Sequence, residues 1–153
     1  MYDIVLTLHS LVRWIILGVG LAAVITAWIG WRRGHRWTPR DDRLGLGFTT
    51  AMDLNLLLGL LLYFVLSPLT TNALRDFASA MRDSYLRFFA VEHIGVMVVA
   101  VVLAHIGRSR SKRAAEASQK FKQAAIFYTL AIVAVLAAIP WPFLAVGSGR
   151  GWL

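Results

Sequence analysis

Cysteine is absent from the 153 residues, which removes disulfides, thiolate metal sites and cysteine nucleophiles together. Charge is scarce as well. Only 16% of the residues are Asp, Glu, Lys or Arg, where a soluble domain carries about a quarter. Against this the chain is 58% hydrophobic, above the roughly 45–50% of an ordinary soluble domain. There is too little polar side chain to cover a water-soluble ball, so a cytosolic enzyme, a disordered tail and a secreted domain are all disfavoured. The chain also lacks a hydrolase triad, a phosphate-cradling glycine loop and an HExxH-type zinc pair. Ser10 directly follows His9, and adjacent residues of a helix do not face each other, which argues against nucleophilic catalysis there.

What the chain has is four long apolar blocks, about 4–31, 46–66, 86–106 and 124–145. A helix needs roughly 20 residues to cross a hydrocarbon core of about 30 Å. Lipid satisfies no backbone amide, so each block must be helical, and none shows the period-2 alternation of a membrane strand. Ser67-Pro68 stops the second block and Pro140-Trp141-Pro142 breaks the last turns of the fourth. The expected fold is all-α: an integral membrane four-helix bundle forming one transmembrane domain over 1–153, without internal repeats. Met1-Tyr2-Asp3 has no basic region, and the run behind it exceeds the roughly 7–15 apolar residues of a signal peptide, so the first helix is expected to be an uncleaved anchor.

The net charge of +8 marks topology rather than nucleic acid. Arg32, Arg33, Arg36, Arg40 and Arg43 fall in the first loop, and Arg108, Arg110, Lys112, Arg113, Lys120 and Lys122 in the third. The other side has Arg75, Arg82, Arg87 and Arg150. By the positive-inside rule the basic loops are cytoplasmic and both termini lie outside, in a bacterial plasma membrane. Trp28, Trp31 and Trp37 then form the inner aromatic belt, and Tyr2, Tyr85, Trp141 and Trp152 the outer one. Between the second and third blocks, Leu74, Phe77, Met81 and Tyr85 recur at helical spacing. They predict a short amphipathic helix on the outer leaflet, capped by Asn72.

Polar residues inside the spans are costly and therefore informative. At 1.5 Å per residue, His9 on the first helix and His93 on the third lie about 8 Å and about 10 Å below the outer boundary. Two imidazoles on separate helices at one depth suit the two axial positions of a haem b, held between facing helices of a bundle. Trp14, Phe88, Phe89 and Phe64 are candidate walls, and Gly18, Gly20 and Gly59 permit close helix packing. His105 lies about 18 Å further along the third helix and cannot serve the same iron; an interfacial role near the basic loops is expected. Arg13, one turn below His9, is expected to pair with Asp53, with Glu92 as the rival partner; Glu92 is also placed to orient His9 or relay protons.

Three stretches carry a family resemblance: Leu8-His9-Ser10-Leu11-Val12-Arg13-Trp14, Val91-Glu92-His93, and Ile126-Phe127-Tyr128 through Ile139-Pro140-Trp141-Pro142-Phe143. With Asn55-Leu56-Leu57-Leu58-Gly59-Leu60 and Arg87-Phe88-Phe89, they resemble small four-span proteins, frequent in Bacteroidota and related genomes, that are commonly labelled cytochrome b-like. The resemblance implies histidines at the positions of His9 and His93. That family often has a histidine where this chain has Asp53, a departure that counts against a second-helix ligand.

Three functions compete on this reading. The first is a haem b electron carrier, with His9 and His93 on the metal, Trp14 and Phe89 beside the cofactor, and electrons passing between quinol and a partner protein. The second is a non-catalytic accessory subunit of a larger respiratory or photosynthetic membrane complex, without its own cofactor. The third is a small proton-conducting bundle using Arg13, Asp53 and Glu92, against which stands the absence of inverted repeats.

Overall fold

A computed structural model describes residues 1–148; Arg150 and Trp152 lie outside the described residues. Four long helices form the bundle. They are α1 (Tyr2–Arg33), α2 (Pro39–Leu66), α5 (Ser84–Arg113) and α6 (Ala117–Ala138), each long and apolar enough to cross a membrane. Two short helices, α3 (Pro68–Arg75) and α4 (Phe77–Ala80), join α2 to α5. No strand occurs among the described residues. Each long helix packs on its neighbours in the chain, and α6 closes the ring against α1. The exposed surface is apolar: Ile4, Ile15, Ile25, Leu57, Val99 and Val133 are all more than half exposed. That inverts the pattern of a soluble protein and fits a lipid bilayer.

Helix ends follow local chemistry. Gly34, at φ 63°, ends α1 in the left-handed conformation that glycine adopts without steric cost. Thr38 begins α2, its backbone N–H and hydroxyl both donating to the Asp41 carboxylate at 2.8 and 2.7 Å, with Pro39 at the first helical position. The apolar blocks underestimate α2 and α5 because polar turns continue these helices beyond the hydrocarbon. α6 stops at Ala138, seven residues before the end of its apolar block: Ile139 is extended, as a residue preceding proline prefers.

The connection between α2 and α5 departs from expectation. It is not one amphipathic helix. Ser67, Asp76 and Asp83 each cap a new helical start, accepting from Thr70 N, Ser79 N, and Tyr85 and Leu86 N respectively. Asn72 lies inside α3 and caps nothing. Small residues turn inward, with Ala73, Ala80 and Ala90 forming a minor core, while Leu74 and Phe77 point outward.

Small residues also set the packing at the end carrying the basic loops. Gly20 lies against Ile132 and Phe48, Gly30 against the Phe121 ring, and Gly45 against the Tyr128 hydroxyl. Gly18 faces open space and packs no helix. A Cβ on Gly107 would stand 2.8 Å from Phe127 Cβ and 3.0 Å from Tyr128 ring carbons. Gly107→Val therefore overpacks the α5–α6 contact, and a loss of about 1–3 kcal/mol is expected. Detergent-titrated unfolding followed by circular dichroism measures it, with Gly18→Val as the neutral comparison. Trp28, Trp31 and Trp37 sit at this end; the Trp28 indole donates to Thr129 Oγ1 at 3.0 Å, and Arg32 and Lys122 lie over Trp28 and Trp31.

Candidate functional site

The opposite end of the bundle is not filled. A cavity of about 280 Å³ opens among α1, α2, α5 and the segment after α6, close to the lower bound of about 300 Å³ for ligand pockets. Its lining is mostly apolar, with His9, Ser10, Arg13, Asn55 and His93 among the polar exceptions.

His9 and His93 meet here. Their ring centroids are 6.4 Å apart and the ring planes cross at 67°. Each ring is tethered through Nδ1 to a main-chain carbonyl of another element, His9 to Asn55 O at 3.2 Å and His93 to Ala138 O at 2.7 Å. A carbonyl only accepts, so both Nδ1 atoms carry the proton and both Nε2 atoms keep the lone pair in the neutral ring.

The sequence explains why those carbonyls are within reach. In a continuous helix the Ala138 oxygen would accept from residue 142, four positions on, but that residue is Pro142 and has no N–H. His93 takes the place left open. Two residues earlier the same logic gives the Leu136 oxygen, orphaned by Pro140, to the Trp141 indole at 2.9 Å. On α2, Gly59 lies one turn beyond Asn55, and a Cβ there would stand 3.1 Å from His9 Cε1. Lacking it, the His9 ring lies flush with the helix.

Both helices also change pitch beside the site. Leu62–Leu66 and Phe88–Glu92 are π-helical turns, the second ending on His93. Such turns free carbonyls and concentrate at functional sites. Here Tyr63 O accepts from Thr70 Oγ1 at 2.9 Å, and Ala90 O from the Tyr63 hydroxyl at 2.7 Å, which ties α2 to α5 next to the histidines.

Of the walls expected from sequence, Phe89 lines the cavity, and Phe88 and Phe89 pack on His93 at centroid distances of 6.0 and 6.3 Å. Trp14 does not line it. It lies edge-on to Trp141 at 6.3 Å, turned off the His9 face by its position on the helix. Phe64 is 62% exposed and points away. Arg13 does reach the cavity, its guanidinium 5.4 Å from the Trp14 ring centre.

The expected network of Arg13, Asp53 and Glu92 is not assembled. Asp53 Oδ1 is held by His105 Nε2 at 2.8 Å, and Glu92 by Arg87 Nε at 2.8 Å on the exposed surface. The cause is helical phase. Asp53 faces α5 rather than α1, and Glu92, adjacent to His93, cannot share the face that His93 turns to the cavity. His105 is accordingly a partner of Asp53 rather than a lone interfacial residue. Three participants had escaped the sequence reading: the Asn55 and Ala138 carbonyls, which carry no side-chain signature, and Tyr63. Only the Pro142 spacing could have pointed to one of them.

Comparison of the chain with protein-family models, curated proteins and solved structures finds no match.

Proposed function

We propose that this chain is a membrane-embedded b-type cytochrome-like protein, with His9 and His93 as the residues that would hold one haem and electron transfer as its role. The observation that carries the proposal is the spacing of two imidazoles whose Nδ1 atoms are already anchored. An imidazole nitrogen binds a first-row metal at about 2 Å and lies about 1.1 Å from its own ring centre, so two rings that share one metal would have centroids within about 6.2 Å of each other. The observed 6.4 Å is close to that limit.

The remaining chemistry fits the same group. Backbone anchors on Nδ1 fix the tautomer and ring direction of metal-ligating histidines. Apolar walls suit a macrocycle, Gly59 clears its approach beside His9, and Arg13 supplies a cation at the cavity for a carboxylate substituent. A bound haem would supply reversible one-electron exchange. His9 and His93 would hold it, Phe89 would exclude water, and the Nδ1 tethers would keep both nitrogens aimed as the charge changes. The resemblance to cytochrome b-like four-span proteins points the same way. The test is a pyridine haemochrome assay on protein purified from a haem-sufficient host. About one b-type haem per chain is expected; a colourless protein from that host contradicts the proposal and favours an accessory subunit of a larger complex.

The distribution of basic residues supports an orientation in which this site lies toward the outer face of a bacterial plasma membrane. As the chain has no cysteine, single introduced thiols report the sidedness. Ala78→Cys is expected to react with a membrane-impermeant maleimide on intact cells, and Ala115→Cys only after the cells are broken. The reverse pattern would invert the topology.

A further inference from the structure

One titratable pair lies outside the histidine cavity. Asp53 and His105 meet across α2 and α5 at 2.8 Å, with side chains 47% and 50% exposed. Asp53 stands ten residues, about 15 Å, from Arg43, and His105 three residues, about 5 Å, from Arg108. The pair therefore lies inside the apolar span, toward the basic end, on the outer surface of the bundle. Its face continues as hydrocarbon. Leu57, one turn along α2, is 63% exposed, and Val102 and Val98 along α5 are 50% and 42% exposed. Acyl chains offer such a pair no hydrogen bond, and a polar pair held at this depth marks a functional site.

The chemistry of the pair selects its ligand. A carboxylate only accepts, so His105 donates through Nε2 and its Nδ1 keeps a lone pair in the neutral ring. That Nδ1 has no hydrogen-bond partner among the described residues. The ligand must then donate a hydrogen bond. It must be neutral, because the Asp53 carboxylate repels an anionic headgroup, and it must travel in the hydrocarbon, because the exposed side chains beside the pair on this face, Leu57 and Val102, are apolar. Neutral lipids with a free hydroxyl satisfy this, whether phenolic or alcoholic. A phenolic O–H, with a pKa near about 10 like that of tyrosine, donates far more strongly to an imidazole than an alcohol does.

We infer that Asp53 and His105 form a binding site for the hydroxyl of a membrane quinol, His105 Nδ1 accepting the hydrogen bond and Asp53 fixing the ring. Binding here needs no haem, so it stands or falls separately from the His9–His93 site. The test uses the full chain in lipid nanodiscs and a photoreactive azido-benzoquinol with a decyl tail, its labelling sites mapped by mass spectrometry. Labelling is expected on the α2 and α5 peptides around Asp53 and His105. Excess decyl-benzoquinol should suppress it at least tenfold, whereas its dimethyl ether and dioctanoylglycerol should leave it in place. His105→Phe should reduce labelling at least fivefold while the absorption spectrum of the purified protein is retained. The competition on the unaltered chain decides the matter even if that variant does not fold. Suppression by the dimethyl ether, equal suppression by dioctanoylglycerol, or labelling confined to the His9–His93 cavity would each overturn the inference.

Discussion

Alanine in place of His93 is expected to lower the haem content of the purified protein more than about tenfold, since outer-sphere changes at metal sites alone cost about 10–100-fold. Alanine in place of His9 is expected to do the same. On the proposed assignment each ring would supply one of the two nitrogens that hold the metal, and neither has a substitute nearby: His35 and His105 lie toward the other end of the bundle, and Asp53 is committed to His105. The readout is Soret absorbance per mole of chain, with circular dichroism confirming that the helices persist. Trp14→Leu is the comparison, because Trp14 rests on Trp141 outside the cavity; its haem content should match that of the unaltered protein. Full haem content in both alanine variants would remove the ligand assignment altogether.

Leucine at Gly59 is expected to have nearly as large an effect by a different route. The first added carbon already stands 3.1 Å from His9 Cε1 and 3.6 Å from Nδ1. The rest of the side chain has only the His9 ring or the cavity to occupy. Either way the Asn55 O tether lengthens or the macrocycle loses its place, and haem content should fall about tenfold, as for other disrupted supporting contacts. The bundle should still form, since the packed core of Phe48, Phe121, Tyr128 and Ile132 lies at the other end. Gly18→Leu, which meets nothing within 4 Å, separates a steric effect from a general loss of glycine. Equal haem content in both variants would show that Gly59 has no part in the site.

How much of this was legible in the sequence depended on which interactions leave a periodic or compositional mark. The four spans are written in hydrophobicity, because lipid demands about twenty apolar helical residues. His9 and His93 could be matched because a fixed rise per residue turns position into depth. Direction around the helix is harder to read. Asp53 was assigned to Arg13 from depth alone, yet it faces α5 and takes His105. A π turn adds a residue between Phe88 and Glu92 and rotates everything before it, and Glu92, one position from the inward-facing His93, is turned off that face. The connection between α2 and α5 misled for another reason. Leu74, Phe77, Met81 and Tyr85 do keep helical spacing, but Asp76 and Asp83 start new helices by accepting backbone N–H groups. Leu74 and Phe77 face outward, while Met81 packs on inward positions that are alanines, which a search for apolar stripes passes over.

The crossing of the two imidazole planes offers the most direct check. In the ferric protein, frozen-solution electron paramagnetic resonance reports both the number of nitrogen axial ligands and the angle between their planes. Rings held at 67° by the Asn55 and Ala138 carbonyls should give the strongly anisotropic low-spin signal of two crossed imidazoles, lost in His9→Ala and in His93→Ala. A high-spin signal, or a low-spin signal that survives both substitutions, would place the iron on other ligands and contradict the assignment.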